Sequence, residues 1–364
     1  MDEKMTYQEF ISEWNNDAQT IHVQTSGSTG APKKLNVRKD RMIESAKMTC
    51  DFLALQQGDT ALLCMNLDYI GAKMMVVRSL VRQLHLIQVA PSGHPLATVD
   101  VPITFAAMVP LQVYNSLQVP EEREKLRQIK HLIIGGGAID DVLAAQLRDF
   151  PHAVWSTYGM TETLSHIALR RLNGLESSSW YTPLQGIKVT TNADDCLVID
   201  APMLCDTPIV TNDIAEIRAT STSEGQNALA FRIIGRQDNV INTGGVKVHA
   251  EELENLMRNF LTFPYMITKR KHAKFGEIVV LFVQMELSGT QQQATSQSPQ
   301  ALLRVLHKIC HRTLPPYWEP RLYIAVDKIP MTANGKPNRA EALLMAETFN
   351  FPATHVYDLD KVEA

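Results

Sequence analysis

Short β-rich runs alternate with helical segments through the first half of the chain, and several of those runs stop at a cluster of Gly, Ser and Thr. Residues 20–24 alternate apolar and polar side chains, as a strand does, and run into a loop at 25–30. Residues 61–65 read as a buried strand followed by a helix over 69–84. The run 131–134 ends at Gly135-Gly136-Gly137 with a helix over 140–148 behind it, and 153–157 ends at Tyr158-Gly159-Met160-Thr161-Glu162. Asp40 is expected to cap a helix that runs to about Leu55 and is ended by Gly58. Strands alternating with helices imply α/β layering. In open α/β sheets ligands bind beyond the carboxyl ends of the strands, so the Gly/Ser/Thr loops mark a site before any relative is considered.

The second half changes character. Residues 187–218 read as short strands separated by turns, and 251–261 as a helix whose acidic start suits the helix dipole. Two strands, a helix over 299–312 and further strands complete a small α+β unit, with a Gln/Ser/Thr-rich connecting loop between 288 and 300. The 35 basic and 39 acidic residues leave a net charge of −4, without the basic excess of a general nucleic-acid binder. The longest strongly apolar run, 278–283, is strand-sized and far short of the ~20 residues of a membrane helix. The start, Met1 to Met5, lacks a basic-then-apolar signal, so the cytoplasm is the expected compartment. Five cysteines without a CxxC pair argue against a disulfide framework or a zinc ribbon. His307, Cys310 and His311 share a helical stretch but read as ordinary helix residues.

Thr25-Ser26-Gly27-Ser28-Thr29-Gly30-Ala31-Pro32-Lys33 carries four hydroxyls and a lysine among glycines. Glycines let backbone N–H groups turn toward an anion, and the hydroxyls and Lys33 add donors, which fits a polyphosphate. A Walker loop is excluded, because Pro32 and Leu35 stand five residues after Gly27 and Gly30, where its second glycine is required. On its own the segment is equally readable as a surface turn.

Four further motifs follow in order: Tyr158-Gly159-Met160-Thr161-Glu162; Thr211-Asn212-Asp213; Gly235-Arg236-Gln237-Asp238-Asn239-Val240-Ile241; and Pro330 to Arg339, with Gly335 and Lys336. Together with 25–33 they resemble the adenylate-forming superfamily of acyl- and aryl-CoA ligases, luciferases and peptide-synthetase adenylation domains. The resemblance implies a large N-terminal α/β domain (1–236), a small mobile C-terminal α+β domain (239–364) and a hinge near Asp238. It also implies a two-step reaction. A carboxylate attacks the α-phosphate of ATP, releasing pyrophosphate, and a thiol such as that of coenzyme A then attacks the acyl-adenylate.

Carried over position by position, Thr25, Ser26, Ser28, Thr29, Gly30 and Lys33 would hold the β- and γ-phosphates. Gly135, Gly136 and Gly137 would line the base pocket, with Tyr158 against adenine. Thr161 would donate to the α-phosphate and Glu162 would help bind Mg²⁺. Asp213 would accept from the ribose, with Arg236 near the ribose and phosphate. Lys336 would bridge the carboxylate and the α-phosphate, and Gly244 and Gly245 would open room for the thiol.

The sequence also departs from the superfamily pattern. The phosphate loop begins early, as if most of the first subdomain were missing. Asn212 replaces a glycine, Asn239 replaces a second aspartate, Lys34 stands where glycine is common, and Tyr69 occupies the place of a histidine. Within the superfamily the chain is most similar to the o-succinylbenzoate–CoA ligases of menaquinone biosynthesis, through Tyr158 to His166 and an arginine, Arg78, after Tyr69. That implies a small carboxylic acid as partner, with Tyr69, Lys73, Arg78, Ser165 and His166 as candidates for its second polar end. Another aryl or acyl adenylating enzyme, one loading a carrier protein included, and a non-catalytic nucleotide-binding protein stay open, as does the oligomeric state.

Overall fold

The computed structural model describes residues 4–24, 34–137, 139, 141–221, 227–285, 298–332 and 337–362. The expected phosphate loop at 25–33, the connecting loop at 286–297 and the turn at 333–336 with Lys336 lie outside the described residues. By internal contacts the chain divides into two units: 1–192 with 197–211 and 216–232, and 233–364 with 193–196 and 212–215.

The first unit opens with α1 (Tyr7–Asn15) and the hairpin of β1 (Thr20–Gln24) and β2 (Lys34–Arg38). Then follow α2 (Lys39–Phe52), β3 (Thr60–Leu63), α3 (Ile70–Arg82), β4 (His85–Gln88) and β5 (Phe105–Met108). Next come α4 (Pro110–Gln118), α5 (Pro120–Gln128), β6 (His131–Ile134), α6 (Asp141–Leu147), β7 (Ala153–Gly159), β8 (His166–Arg171) and β9 (Thr182–Pro183). Seven of these strands form one sheet in the order β4-β3-β5-β6-β7-β8-β9. The first five are parallel, and β8 and β9 are added antiparallel.

A parallel sheet must be covered on both faces, and its strands are apolar throughout. Leu62, Ala106, Met108, Leu132, Ile134 and Val154 pack on one face against Val113 and Leu117 of α4, Leu126 of α5 and Leu143 and Leu147 of α6. The alternate residues Ala61, Leu63, Phe105 and Ile133 are also buried, and α3 packs along β3 and β4. The chain moves from β3 to β4 on one side and to β5 on the other, so the strand order reverses at β3 and the loops beyond β3, β5, β6 and β7 share one edge.

A four-stranded sheet follows, β10 (Lys188–Thr191), β11 (Cys196–Asp200), β12 (Ile209–Ser221) and β13 (Asn227–Arg236), in sequence order. These are the turn-separated strands read in the sequence from 187.

Among the described residues the second unit is built on a six-stranded sheet with helices packed on it. Its elements are β14 (Val240–Thr243), β15 (Val246–His249), α7 (Ala250–Met257), β16 (Tyr265–His272), β17 (Gly276–Gln284), α8 (Pro299–Thr313), β18 (Leu322–Val326), α9 (Arg339–Thr348) and β19 (Val356–Asp358). Period-two alternation sorts its core. Ile267, Val279, Leu281, Val283 and Tyr323 face α7 and α8, whereas Met266, Ile278, Val280, Phe282 and Ile324 face α9.

One local expectation changes. Arg38, not Asp40, is the N-cap of α2 and makes no side-chain cap bond. Asp40 lies in the first helical turn, where it accepts from Arg38 Nε at 3.0 Å and from the Arg41 N–H at 2.9 Å. A carboxylate is favourable anywhere in a first turn, so the sequence signal was real but two residues off the cap. Residues 307 and 311 share a helix face as spaced, and both rings reach Glu319, at 2.8 and 3.1 Å.

Candidate active site

The carboxyl edge of the parallel sheet brings together many of the residues read from the sequence. Gly135 donates its N–H to the Met108 carbonyl as β6 ends, with Gly136 and Gly137 following in the loop. One strand over, Tyr158 lies 5.1 Å from Phe231 and 5.8 Å from Tyr181, ring to ring, in an aromatic cluster on the first unit. Arg170 packs over the Tyr181 ring.

The chain then reverses between β7 and β8 in a short, tightly built loop. A bulge falls at Tyr158/Gly159, and a Cβ added at Gly159 would lie 2.3 Å from the Ser165 carbonyl oxygen and 2.4 Å from His166 Cα. Only glycine permits that approach. Thr161 to Thr163 form one 3₁₀ turn, closed by the Leu164 N–H to the Thr161 carbonyl. The buried Thr163 hydroxyl accepts from the Met160 N–H at 3.0 Å and donates to the Ser165 carbonyl at 2.7 Å. Leu164 sits at φ +64, a conformation a branched side chain adopts at a cost. The loop thus holds Thr161 half-buried and Glu162 exposed, with the Glu162 carbonyl accepting from Cys205 Sγ.

The helix after β3 supplies the remaining candidates. Tyr69 is the exposed N-cap residue of α3. Lys73 does not join the others. It is buried, its ammonium donates to the His22 carbonyl of β1 at 2.7 Å and lies over the Phe10 ring, and burial lowers its pKa. Arg78 is 1% exposed on the same helix. Its Nη2 donates to Ser165 Oγ at 2.5 Å, its Nη1 has only a 3.9 Å contact with Met75 Sδ, and its Nε has no partner. Among the described residues no carboxylate pairs with it. Burial pulls this guanidinium down to about 10. His166 is buried beside it, and burial, followed by the Arg78 charge, pushes its imidazole well below the usual value.

In the second unit a different set converges. Arg236 Nη1 donates to Asp213 Oδ1 at 3.0 Å and its Nη2 to Asp238 Oδ2 at 3.1 Å. Asn212 donates to the same Asp238 carboxylate at 3.3 Å. Two of the departures from the superfamily pattern therefore have partners here. A glycine at 212 could not make this bond, and Asn239 donates to Glu251 Oε1, where an aspartate would meet a like charge. Gly244 and Gly245, at φ +58 and +85, are the two central residues of the β14–β15 hairpin, whose Thr243 and Val246 pair. Positive φ at both positions is what a two-residue type I′ turn needs.

Thr49 carried no sequence signal. It lies mid-helix in α2 and bonds His166 from 117 residues away. Spacing from the nearest motif could not have found it.

A doubly covered parallel sheet with glycine- and hydroxyl-bearing loops on its carboxyl edge, followed by a separate α+β unit, is the architecture of the adenylate-forming enzymes. The chain belongs to the AMP-binding enzyme family, whose model matches residues 9–204. A solved acyl-CoA synthetase (AMP-forming)/AMP-acid ligase II-like protein from Dyadobacter fermentans is 30% identical, with a TM-score of 0.59 over 92% of this chain and 91% of that one. The 2-succinylbenzoate–CoA ligase of Haemophilus influenzae is 25% identical over 269 residues, 71% of this chain. The chain spans 58% of that relative's length and 70% of the Enterococcus faecalis enzyme of the same name, which is 23% identical over 356 residues. O-succinylbenzoate coenzyme A synthetase from Bacillus subtilis, solved with ATP and magnesium ion, shares the fold at a TM-score of 0.66 and 18% identity, over 89% of this chain and 70% of that one.

Proposed function

We propose that the protein is an ATP-dependent acid–CoA ligase that acts on o-succinylbenzoate in menaquinone biosynthesis. The observation that carries this reading is Arg78. A buried guanidinium without a carboxylate costs several kcal/mol in a folded protein, and an anionic ligand group would offset that cost. An acid with two carboxylates keeps one after the other is activated, and a fixed Arg fork suits it. The curated relatives named for this acid support the same choice.

The chemistry asks mainly for positioning and charge neutralisation, because the attacking carboxylate and the triphosphate repel. Tyr158 would stack on adenine beside Gly135 to Gly137, and Thr161 would donate to the α-phosphate. Asp213 would take the ribose hydroxyls and also hold Arg236 in place. Among the described residues no cluster of three His, Cys, Asp or Glu could hold a metal by itself. Mg²⁺ fits that arrangement, since it binds through one or two carboxylates plus substrate phosphates and keeps its waters. Glu162, whose carboxylate is exposed, is the residue that would hold it. When bound, the ion supplies charge neutralisation at the phosphates. Lys336 and the hydroxyls of 25–33 complete the reading by family resemblance. The free thiol is that of coenzyme A.

The test is ligation with ATP, Mg²⁺, coenzyme A and a panel of acids. Expected products are o-succinylbenzoyl-CoA, AMP and pyrophosphate. ADP as product would refute adenylation. Turnover of benzoate or fatty acids without the dicarboxylate would refute the substrate, and transfer only to a carrier-protein thiol would refute the acceptor.

A further inference from the structure

Behind Ser165 lies a hydrogen-bonded chain that the reaction chemistry itself does not use. It runs through Thr49 on α2 and His166 at the start of β8, both buried. Thr49 Oγ1 is 3.2 Å from the Ser45 carbonyl one turn back and 3.0 Å from His166 Nε2. Ser165 Oγ is 3.4 Å from His166 Nδ1 and 2.5 Å from Arg78 Nη2.

A threonine hydroxyl carries one hydrogen. In a helix it is readily given to the carbonyl four residues back, here that of Ser45. The Thr49 oxygen then accepts from His166 Nε2–H. The imidazole is left bare at Nδ1 and takes the Ser165 hydrogen, so the Ser165 lone pair faces the guanidinium. Each link has one donor and one acceptor, and all run in one direction. A protonated ring would break this order and set a second cation against Arg78. Burial and the Arg78 charge both keep the ring neutral.

We propose that Thr49 and His166 are positioning residues for acid recognition. Thr49 selects the His166 tautomer, His166 takes the Ser165 proton, and Ser165 then fixes the plane in which Arg78 meets the free anionic group of the acid. The proposal rests on the reading of Arg78 given above. It adds a residue outside every motif, and it makes Ser165 an acceptor for Arg78 rather than a donor to the acid.

The test joins a spectrum to a kinetic comparison. With ¹⁵N-labelled histidine, His166 in the substrate-free protein should show a protonated Nε2 and a bare Nδ1. Thr49→Val, nearly isosteric, should move the proton toward Nδ1 and raise KM for the acid about tenfold, the effect of one buried hydrogen bond. KM for ATP should hold, and Thr49→Ser should restore both the spectrum and KM. A wild-type ring protonated at Nδ1 overturns the relay even if o-succinylbenzoate is a good substrate. Unchanged acid KM in Thr49→Val, or equal changes in acid and ATP KM, overturns the positioning role. The expected tautomer in a protein that ligates no acid would instead refute the ligase reading, and the recognition role falls with it.

Discussion

Replacing Arg78 with methionine should make the substrate-free protein more stable and a much poorer ligase. At neutral pH, below both the ordinary arginine value and the lowered one, the guanidinium is charged folded and unfolded, so the whole cost of its descent to about 10 is present. At 1.36 kcal/mol per pH unit that is about 3 kcal/mol. Methionine keeps the unbranched stem near Met75, and it removes one hydrogen bond, to Ser165. Leaving Ser165 with an unused lone pair returns about 1–2 kcal/mol. The net gain is about 1–2 kcal/mol, a rise in Tm of about 2–8 °C for a unit of this size. Against that, removing one partner of a buried charge pair costs about 2–5 kcal/mol. The value of kcat/KM for the dicarboxylic acid should therefore fall at least ~30-fold. Calorimetry without substrate and thioester formation with coenzyme A measure the two effects. A lower Tm together with unchanged kcat/KM would refute the argument, because Arg78 would then be a structural residue whose charge the fold already satisfies.

Lys336→Ala should slow adenylation by about 10²–10³, the loss of one preorganised donor between two anions, while supplied acyl-adenylate still reacts with coenzyme A; loss of both half-reactions would remove the assigned role. Asp238→Pro should stiffen the backbone at the expected hinge and slow thioester formation more than ATP–pyrophosphate exchange; equal losses would count against a hinge there. Asn239→Asp should set a carboxylate against Glu251 and lower stability by about 1 kcal/mol at neutral pH. Because like charges raise both carboxyl pKa values, that penalty should disappear as the pH falls below the carboxylate range, and urea unfolding at several pH values would reveal a flat difference if the contact is unimportant.

The first unit was legible because strands β3, β5 and β6 of its parallel sheet are largely buried and β6 and β7 run into glycine. Runs such as 131–134 and 153–157 announce themselves by composition, and the loops after them follow. Asp213, Arg236 and Asp238 were marked by motif, and the structure adds that one guanidinium bridges both carboxylates. Pairings between residues distant in the chain were not legible. Lys73 looked free to meet a substrate because its partner is a backbone carbonyl, that of His22, which has no signature of its own. Thr49 was invisible for the same reason. Gly244 and Gly245 were read for the space they leave, whereas positive φ in a hairpin turn accounts for both without reference to any thiol.

The contact between Gly159 and Ser165 bears on how such a protein can change its substrate. The residues read as serving the nucleotide, Thr161 and Glu162, and those read as serving the acid, Ser165 and His166, sit on one short reversal pinned at both ends. A side chain exchanged at 165 or 166 to admit a different acid pulls on the turn that presents 161 and 162. Exploring new acids from this end of the pocket should then cost ATP turnover as well. Variants that alter acid choice at little cost in rate should accumulate instead near Tyr69, the exposed N-cap residue of α3, rather than at Arg78, which ties that helix to Ser165 of the same reversal.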